Sequence, residues 1–125
     1  MRVIKFRALH DDVWSFQKLE EIITITLTAF RIGKHKSQFI GMYDKKGAEI
    51  YEGDIIQYAY WGEDGELCFS NMQIFWNKDT AQFCYDDSYL SNKTSFQELN
   101  KEFCLDVVVV GNIHQNKNLL IPTDL

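Results

Sequence analysis

Turn sequences recur at short intervals along the chain and divide it into short segments. They are rich in glycine, aspartate and asparagine, and they occupy Asp44–Gly47, Glu52–Asp54, Gly62–Glu66 and Asn77–Thr80. These residues favour turns because glycine adopts positive φ and Asp or Asn side chains bond to nearby backbone amides. Between the turns, aromatic and β-branched residues dominate, and both favour strands. The pattern predicts a small barrel or a β-rich α+β fold.

The segments expected to form strands are Ile4–Ala8, Ile23–Phe30, Phe39–Tyr43, Glu49–Tyr51, Ile55–Trp61, Leu67–Trp76, Gln82–Tyr85 and Val107–Val110. In the first two, apolar side chains alternate with polar ones, which is typical of a strand with one exposed face. Asp11–Asp12 and the basic segment Gly33–Ser37 are expected to be turns. Val107–Val110 is β-branched throughout, as in a fully buried strand.

One short helix is predicted from Ser95 to Phe103. Ser95 and Glu98 have the spacing of a capping box, and Phe96, Leu99 and Phe103 recur at helical spacing. The residues expected in the core are Ile50, Ile55, Ile56, Val108 and Val110. A chain of 125 residues is about one domain long. We assign residues 1–120 to that domain and residues 121–125 to a C-terminal tail; the segment from Leu119 onward is expected to be poorly held.

The charge of the chain bears on its partners. The formal net charge is −5, distributed as +3 over residues 1–37, −5 over residues 38–66 and −3 over residues 67–125. Proteins that bind nucleic acid through its phosphates are usually positively charged, so this balance disfavours such a partner. A contiguous basic patch would reverse that expectation; its candidate members are Arg2, Lys5, Arg7, Arg31, Lys34 and Lys36. The charge balance is also compatible with a homo-oligomer of this chain.

The cysteines and the N-terminus predict a soluble, cytoplasmic protein. Cys68, Cys84 and Cys104 are odd in number and widely spaced, which is typical of free buried thiols and not of a zinc site. The N-terminal residues alternate charged and apolar side chains, so they do not resemble a signal peptide. No apolar run is long enough to span a membrane.

No motif names a chemistry. The sequence lacks the phosphate-binding loop, the dinucleotide-binding glycines, and the zinc-protease and serine-hydrolase motifs. The densest carboxylate cluster comprises Asp44, Glu49, Glu52 and Asp54. It could supply oxygen ligands to a divalent cation, but we favour a role for Asp44 and Asp54 in closing their turns. We therefore predict a protein that is not an enzyme, with no catalytic residue, no cofactor and no metal site.

The aromatic residues Tyr58, Tyr60, Trp61 and Trp76 are the candidate partner-binding residues. Most aromatic side chains in strands belong to the core, and that interpretation carries more weight for the set as a whole. Alternation along Ile55–Trp61, however, places Trp61 on the outer face if Ile56, Tyr58 and Tyr60 face inward. An exposed tryptophan would point to a partner.

The stretch Gln38–Ile56 resembles the hallmark of the YopX family of bacteriophage and prophage proteins. Three further segments agree with that family in order: Ile4–Ala8, Ile74–Asn77 and Val110–Asn116. The resemblance thus spans Ile4 to Leu120, with modest departures at Leu9, His114 and Lys117. The positions that carry the family motif are Gly41, Asp44, Gly47, Ile50, Tyr51, Glu52, Gly53, Asp54, Gly111 and Asn112.

The resemblance implies a mostly β domain: an SH3-like small barrel with additional strands or hairpins and one short helix. It also implies a phage or prophage accessory protein of uncharacterised biochemistry. The motif consists of turn and strand residues, so we interpret it as scaffold and not as an active site. Two functions are the main alternatives: a non-enzymatic module that binds a phage or host protein, or a nucleic-acid-associated factor in phage replication or gene expression. Metal-assisted hydrolysis at the acidic cluster is a distant third.

Overall fold

The computed structural model of the protein describes residues 4–18, 35–86 and 96–120. Strands dominate these residues. The elements are β1 (Lys5–His10), β2 (Val13–Lys18), β3 (His35–Tyr43), β4 (Glu49–Tyr51), β5 (Asp54–Trp61), β6 (Leu67–Asn77), β7 (Gln82–Asp86), β8 (Phe96–Glu98), α1 (Lys101–Cys104), β9 (Val107–Asn112) and a 3-10 helix (Lys117–Leu120).

The strands form two antiparallel sheets. The first has the order β2-β1-β3-β4, and the second has the order β8-β7-β6-β5-β9. The predicted mostly β fold with one short helix is confirmed. The finer assignment to an SH3-like barrel is consistent with the two sheets and stays a prediction. The predicted strand Ile23–Phe30 lies outside the described residues.

The β1–β2 hairpin confirms the turn at Asp11–Asp12 and adds a strand that the sequence analysis missed. Both aspartates have positive φ, 49° and 63°. Positive φ at both central residues is the conformation that joins two strands through a two-residue loop. The missed strand is β2, in which Val13 and Phe16 are exposed. It has no buried apolar face that alternation could reveal, and its pairing with β1 defines it.

Strand β3 begins earlier than predicted and bends midway. His35–Ser37, expected in a turn, pairs with β1, so that prediction is wrong for these residues. Between the pairs Phe39–Tyr51 and Tyr43–Glu49, β3 contains two residues more than β4. Gly41 lies in this bulge with φ of +85°, a conformation that glycine adopts at no steric cost.

The main core lies on one face of the second sheet. Ile56 and Met72 are opposite each other on β5 and β6, and both are buried together with Ile50. The remaining members of this cluster are Ile40, Ile74, Leu99, Cys104 and Val107. The predicted burial of Ile50, Ile55 and Ile56 is confirmed. It is wrong for Val108 and Val110, which are half-buried, because alternation along β9 turns only some valines toward the core.

The helix is shorter than predicted and begins later. Phe96–Glu98 is the strand β8, paired with β7, and Asn100 caps α1 by accepting a hydrogen bond from the Phe103 amide at 2.8 Å. Ser95, the predicted cap, lies outside the described residues. An asparagine three residues before a helical amide is a standard N-cap. The prediction of a helix is therefore wrong for Phe96–Glu98.

The turn at Glu52 and Gly53 fastens the two sheets together. The Glu52 amide donates to Gln38 in the first sheet, and the Gly53 amide donates to Ile74 in the second, both at 2.9 Å. Gly53 has φ of +86°, and a Cβ at this position would lie 3.4 Å from Ile113. A side chain here would be strained by its backbone conformation and would press on its neighbour.

Regular structure in the C-terminal segment continues to Leu120, although the segment from Leu119 onward was expected to be poorly held. Leu119 and Leu120 belong to the 3-10 helix, and the Asn71 side chain donates to the Leu119 carbonyl at 2.9 Å. The expectation of a poorly held segment is therefore wrong for these two residues. Residues 121–125 lie outside the described part of the chain.

Candidate functional site

A buried ion pair lies between the two sheets. Arg7 donates from Nη2 to Asp54 Oδ1 at 2.7 Å and from Nε to Ser37 Oγ at 2.9 Å. Its guanidinium also lies over the rings of Trp14 and Tyr51, 4.1 and 4.7 Å from their centroids. Arg7 is only 6% exposed and Asp54 only 1%. These groups bind one another, which gives them a structural role.

The electrostatics of this region follow from burial. The second carboxylate oxygen of Asp54 accepts the Tyr51 amide at 2.7 Å. Burial raises the pKa of Asp54, while Arg7 and the Tyr51 amide oppose that rise. Burial and the neighbouring Glu49 carboxylate likewise raise the pKa of Tyr51, whose hydroxyl donates to Glu49 at 3.1 Å.

Asp44 joins the first sheet to the second. One carboxylate oxygen accepts the amides of Lys46 and Ala48, at 2.9 and 2.8 Å, and the other accepts the Val109 amide at 2.9 Å. Val109 is a β9 residue, whereas Asp44 follows β3. Burial, and to a smaller extent the Asp44 carboxylate, raises the pKa of the Cys104 thiol to about 11.

The remaining motif residues lie in turns and strands. Gly47 closes the Asp44 turn, and Gly111 lies in β9, where an added Cβ would be only 2.6 Å from Asn116 Oδ1. The buried Asn112 accepts the amides of His114 and Gln115 through its side chain. Gln115 in turn accepts the indole N–H of Trp14. This turn therefore fastens the β1–β2 hairpin to the end of β9.

The four carboxylates of the predicted acidic cluster point to different partners. Asp44 and Asp54 bond to the groups described above, and Glu49 accepts from Lys5 Nζ at 2.6 Å. Among the residues that the structure describes, no group of His, Cys, Asp and Glu side chains is arranged to hold a metal ion. No helix within the described ranges has the length and apolarity needed to cross a membrane.

Glu52 lies in a cleft of about 330 Å³ together with His114, Lys36, Gln73 and Trp76. Burial raises the pKa of Glu52. The ring of His114 stacks on that of His35 with centroids 4.0 Å apart, and burial, followed by the proximity of His35, lowers the pKa of His114. Both charged forms are thus disfavoured in the cleft.

Replacing Glu52 with glutamine is expected to stabilise the protein at neutral pH. A carboxyl group whose pKa is raised on folding is destabilising when ionised, and stability falls as pH rises through the folded pKa. The advantage of Glu52→Gln should therefore vanish below about pH 4, where the carboxyl is protonated in both states. Thermal unfolding at the two pH values measures it. An equal gain from Glu98→Gln, a change at an exposed position, would contradict the assignment.

The structure separates the four predicted partner-binding aromatics. Tyr58 is half-buried beside Phe103, which also stacks on Tyr85 at 4.2 Å. Trp76 packs edge-on against Phe83 at 4.9 Å, near the other end of β6. Tyr60, on the same face as Tyr58, is 36% exposed, whereas Trp61 is 72% exposed. The predicted outward orientation of Trp61 is confirmed, but the four residues do not form one surface.

Trp61 belongs instead to an apolar strip at the end of the β5–β6 hairpin. Its cross-strand partner is Leu67, and the next pair on the same face is Ala59 with Phe69. Leu67 is 49% exposed and Phe69 is 58% exposed. We define Ala59, Trp61, Leu67 and Phe69 as the hairpin strip. Leu67 and Phe69 are not among the residues predicted to bind a partner; the hairpin register, with its turn at Gly62–Glu66, is the signal that brings them beside Trp61.

The described members of the predicted basic patch do not form a free cationic surface. Lys5 pairs with Glu49, and Arg7 is buried with Asp54. Lys36 is exposed on β3 at the rim of the cleft. Arg2, Arg31 and Lys34 lie outside the described residues.

Comparison with known proteins agrees with this architecture. The model of the family described as YopX protein matches residues 5–121. The chain belongs to the YopX family. A crystal structure of protein EF1440 from Enterococcus faecalis is similar to this YopX-family protein, with a TM-score of 0.54 and 22% identity, and the match covers 97% of this chain and 100% of that one. That likeness shows the fold alone. No curated protein matches the chain.

Proposed function

We propose that this YopX-family protein is a non-enzymatic accessory protein of phages and prophages that binds a phage or host protein in the bacterial cytoplasm. The observation that carries the proposal is the hairpin strip, in which three large apolar side chains are about half or more exposed on one face. Exposed aromatic side chains grouped in this way mark interaction surfaces, and aromatic anchors contribute most to interface energies.

The polar residues of the family motif support a scaffold role. The carboxylates of Asp44 and Asp54 accept hydrogen bonds from the protein itself, and Arg7 is enclosed by aromatic rings. A catalytic group has to reach substrate, whereas these groups hold the two sheets together. The charge balance also favours a protein partner over nucleic acid, since Lys5 and Arg7 are neutralised by internal ion pairs.

Affinity capture from bacteria infected by, or carrying, the encoding phage tests this proposal. The wild type is compared with Trp61→Ser/Phe69→Ser and with Val13→Ser, which removes an exposed apolar side chain on β2, in the first sheet. We expect the double variant to bind its specific partner about thirtyfold more weakly, as for an interface hot spot. Val13→Ser should bind that partner like the wild type. Thermal unfolding verifies that all three proteins are folded.

Equal capture by the wild type and the double variant would contradict the proposal. Binding to duplex or single-stranded DNA at near-physiological salt provides the second readout. We expect affinity no better than the nonspecific range of roughly 10⁻⁴–10⁻⁶ M. Submicromolar binding with a steep salt dependence would favour the alternative, a nucleic-acid-associated factor in phage replication or gene expression.

A further inference from the structure

We infer that the hairpin strip binds a cationic amphipathic protein segment, one whose apolar side chains are flanked by lysine or arginine. This inference rests on the proposed function and specifies the chemistry of the partner. It is carried by the charge that surrounds the strip and by the way the hairpin projects from its sheet.

The strip lies on a part of the hairpin that extends past its neighbouring strands. Strand β9 pairs with β5 only as far as Tyr58, which is opposite Val107. Strand β7 pairs with β6 only from Ile74 onward. The pairs Ala59–Phe69 and Trp61–Leu67 therefore form a two-stranded ribbon with no third strand among the described residues. A partner can approach this ribbon without displacing any part of the described fold.

The charge around the strip is entirely negative along this part of the chain. Residues 47–77 contain no lysine, arginine or histidine. The loop between β5 and β6 carries Glu63, Asp64 and Glu66, all exposed, and it directly joins Trp61 to Leu67. The other acidic residue of the hairpin, Asp54, is neutralised by Arg7. Three carboxylates thus border an exposed apolar surface.

Hydrogen bonds within the acidic loop hold its backbone and the carboxylate of Asp64. The Gly62 amide donates to the Glu66 carbonyl at 2.8 Å, and the Gly65 amide donates to Gly62 at 3.0 Å. Asp64 Oδ1 accepts the Glu66 amide at 3.1 Å. A ligand that pairs with the carboxylates of the loop therefore costs little additional backbone freedom there.

Apolar contact and charge complementarity together indicate which ligand fits the hairpin strip. Burying Trp61 and Phe69 against an apolar surface is favourable, and cations at the rim of that surface would meet carboxylates. An anionic membrane or a nucleic acid would bring phosphates against the same carboxylates. A second copy of the hairpin would oppose Glu63 and Glu66 to identical charges. A basic amphipathic segment satisfies both the apolar strip and its acidic border.

Two synthetic peptides test the inference: an amphipathic peptide of leucine, tryptophan and lysine, and its counterpart with glutamate in place of every lysine. Calorimetric titration compares the wild type with Glu63→Gln/Asp64→Asn/Glu66→Gln, in which asparagine can still accept the Glu66 amide. A control variant, Asp79→Asn/Glu98→Gln/Glu102→Gln, removes three charges at exposed positions elsewhere. Trp61→Ser/Phe69→Ser reports on the apolar strip.

We expect the wild type to bind the lysine peptide more tightly than the glutamate peptide. Its affinity for the lysine peptide should fall as the salt concentration increases. The loop variant should lose about fivefold in affinity, as three partly exposed ion pairs allow, whereas the control variant should lose less than about twofold. Equal losses in the two variants, or equal binding of the two peptides, would overturn the cationic partner.

The strip variant separates this inference from the proposed function. If Trp61→Ser/Phe69→Ser abolishes binding of both peptides while the loop variant binds them normally, the strip is a protein-binding surface without charge preference, and only this inference fails. If the strip variant binds both peptides like the wild type and captures the same proteins from cells, the proposed function fails as well. Sedimentation velocity with dimers of the wild type, lost on Trp61→Ser, would assign the strip to a second copy and also overturn the inference.

Discussion

Asp54→Ala is expected to lower the free energy of unfolding by about 3–5 kcal/mol, the usual consequence of removing one member of a buried ion pair. The substitution leaves the Arg7 guanidinium without its 2.7 Å partner, in a site where only 6% of the arginine is exposed. It also leaves the Tyr51 amide without its acceptor. An uncompensated buried charge costs far more than the loss of one exposed ion pair, so this change should rank among the most destabilising in the chain.

Urea denaturation measures the effect, and two further variants give it a reference. Lys5→Gln removes the partner of Glu49 in a pair whose side chains are 21% and 28% exposed, and we expect it to cost no more than about 1 kcal/mol. Arg7→Met/Asp54→Asn removes both charges and keeps an acceptor for the Tyr51 amide, so it should be more stable than Asp54→Ala. Similar losses for Asp54→Ala and Lys5→Gln would show that the buried pair has no special role.

The turns of the motif were predictable from sequence because their physical causes are local. A glycine that requires positive φ, or an aspartate that accepts amides two and four residues later, is recognisable within a short window. The strands flanking Asp44–Gly47 and the outward orientation of Trp61 followed from the same kind of local pattern. The fold class needed no more than these turns and the alternation between them.

The long-range contacts were not predictable in the same way. Arg7 and Asp54 are 47 residues apart in the chain, and from sequence Arg7 is a candidate member of a basic surface. It meets Asp54 only because β1 pairs with β3 and the Glu52–Gly53 turn fastens β3 to β6. Nothing within a short window shows that pairing. The helix was misplaced for a related reason, since strand pairing with β7 overrides the helical spacing around Phe96.

Only one large residue of the candidate site, Trp61, was predictable from the sequence pattern. Alternation along β5 identified Trp61, but the candidate set also contained Tyr58 and Trp76, whose side chains lie on the opposite face of their strands. Tyr58 packs against the core, and Trp76, which is 46% exposed, packs against Phe83. The hairpin register decides which residues share a face. Counting outward from the Gly62–Glu66 turn pairs Trp61 with Leu67. This pairing predicts the hairpin strip, and not the four aromatic residues, as the exposed apolar surface.

Asp44→Ala is expected to cost about 2–3 kcal/mol, because one side chain accepts three backbone amides and two of them belong to its own turn. Lys46 and Ala48 are exposed, so water can replace the carboxylate there. Val109 is half-buried in β9, and its amide has no such replacement on the sheet. Most of the cost should therefore come from the bond between Asp44 and Val109, which joins the first sheet to the second.

The matched control for Asp44 lies in the other acidic turn. Asp64 accepts a single amide within an exposed loop, so Asp64→Ala should cost less than about 1 kcal/mol. Amide hydrogen exchange then separates the two contributions. In Asp44→Ala the Val109 amide should exchange faster than in the wild type, and in Asp64→Ala it should be unchanged. If Asp44→Ala accelerated exchange only at Lys46 and Ala48, the aspartate would stabilise its own turn and not the junction of the sheets. The long-range bond predicts the opposite order, with the larger loss of protection at Val109, because this half-buried amide loses its acceptor in the sheet, whereas Lys46 and Ala48 are already exposed.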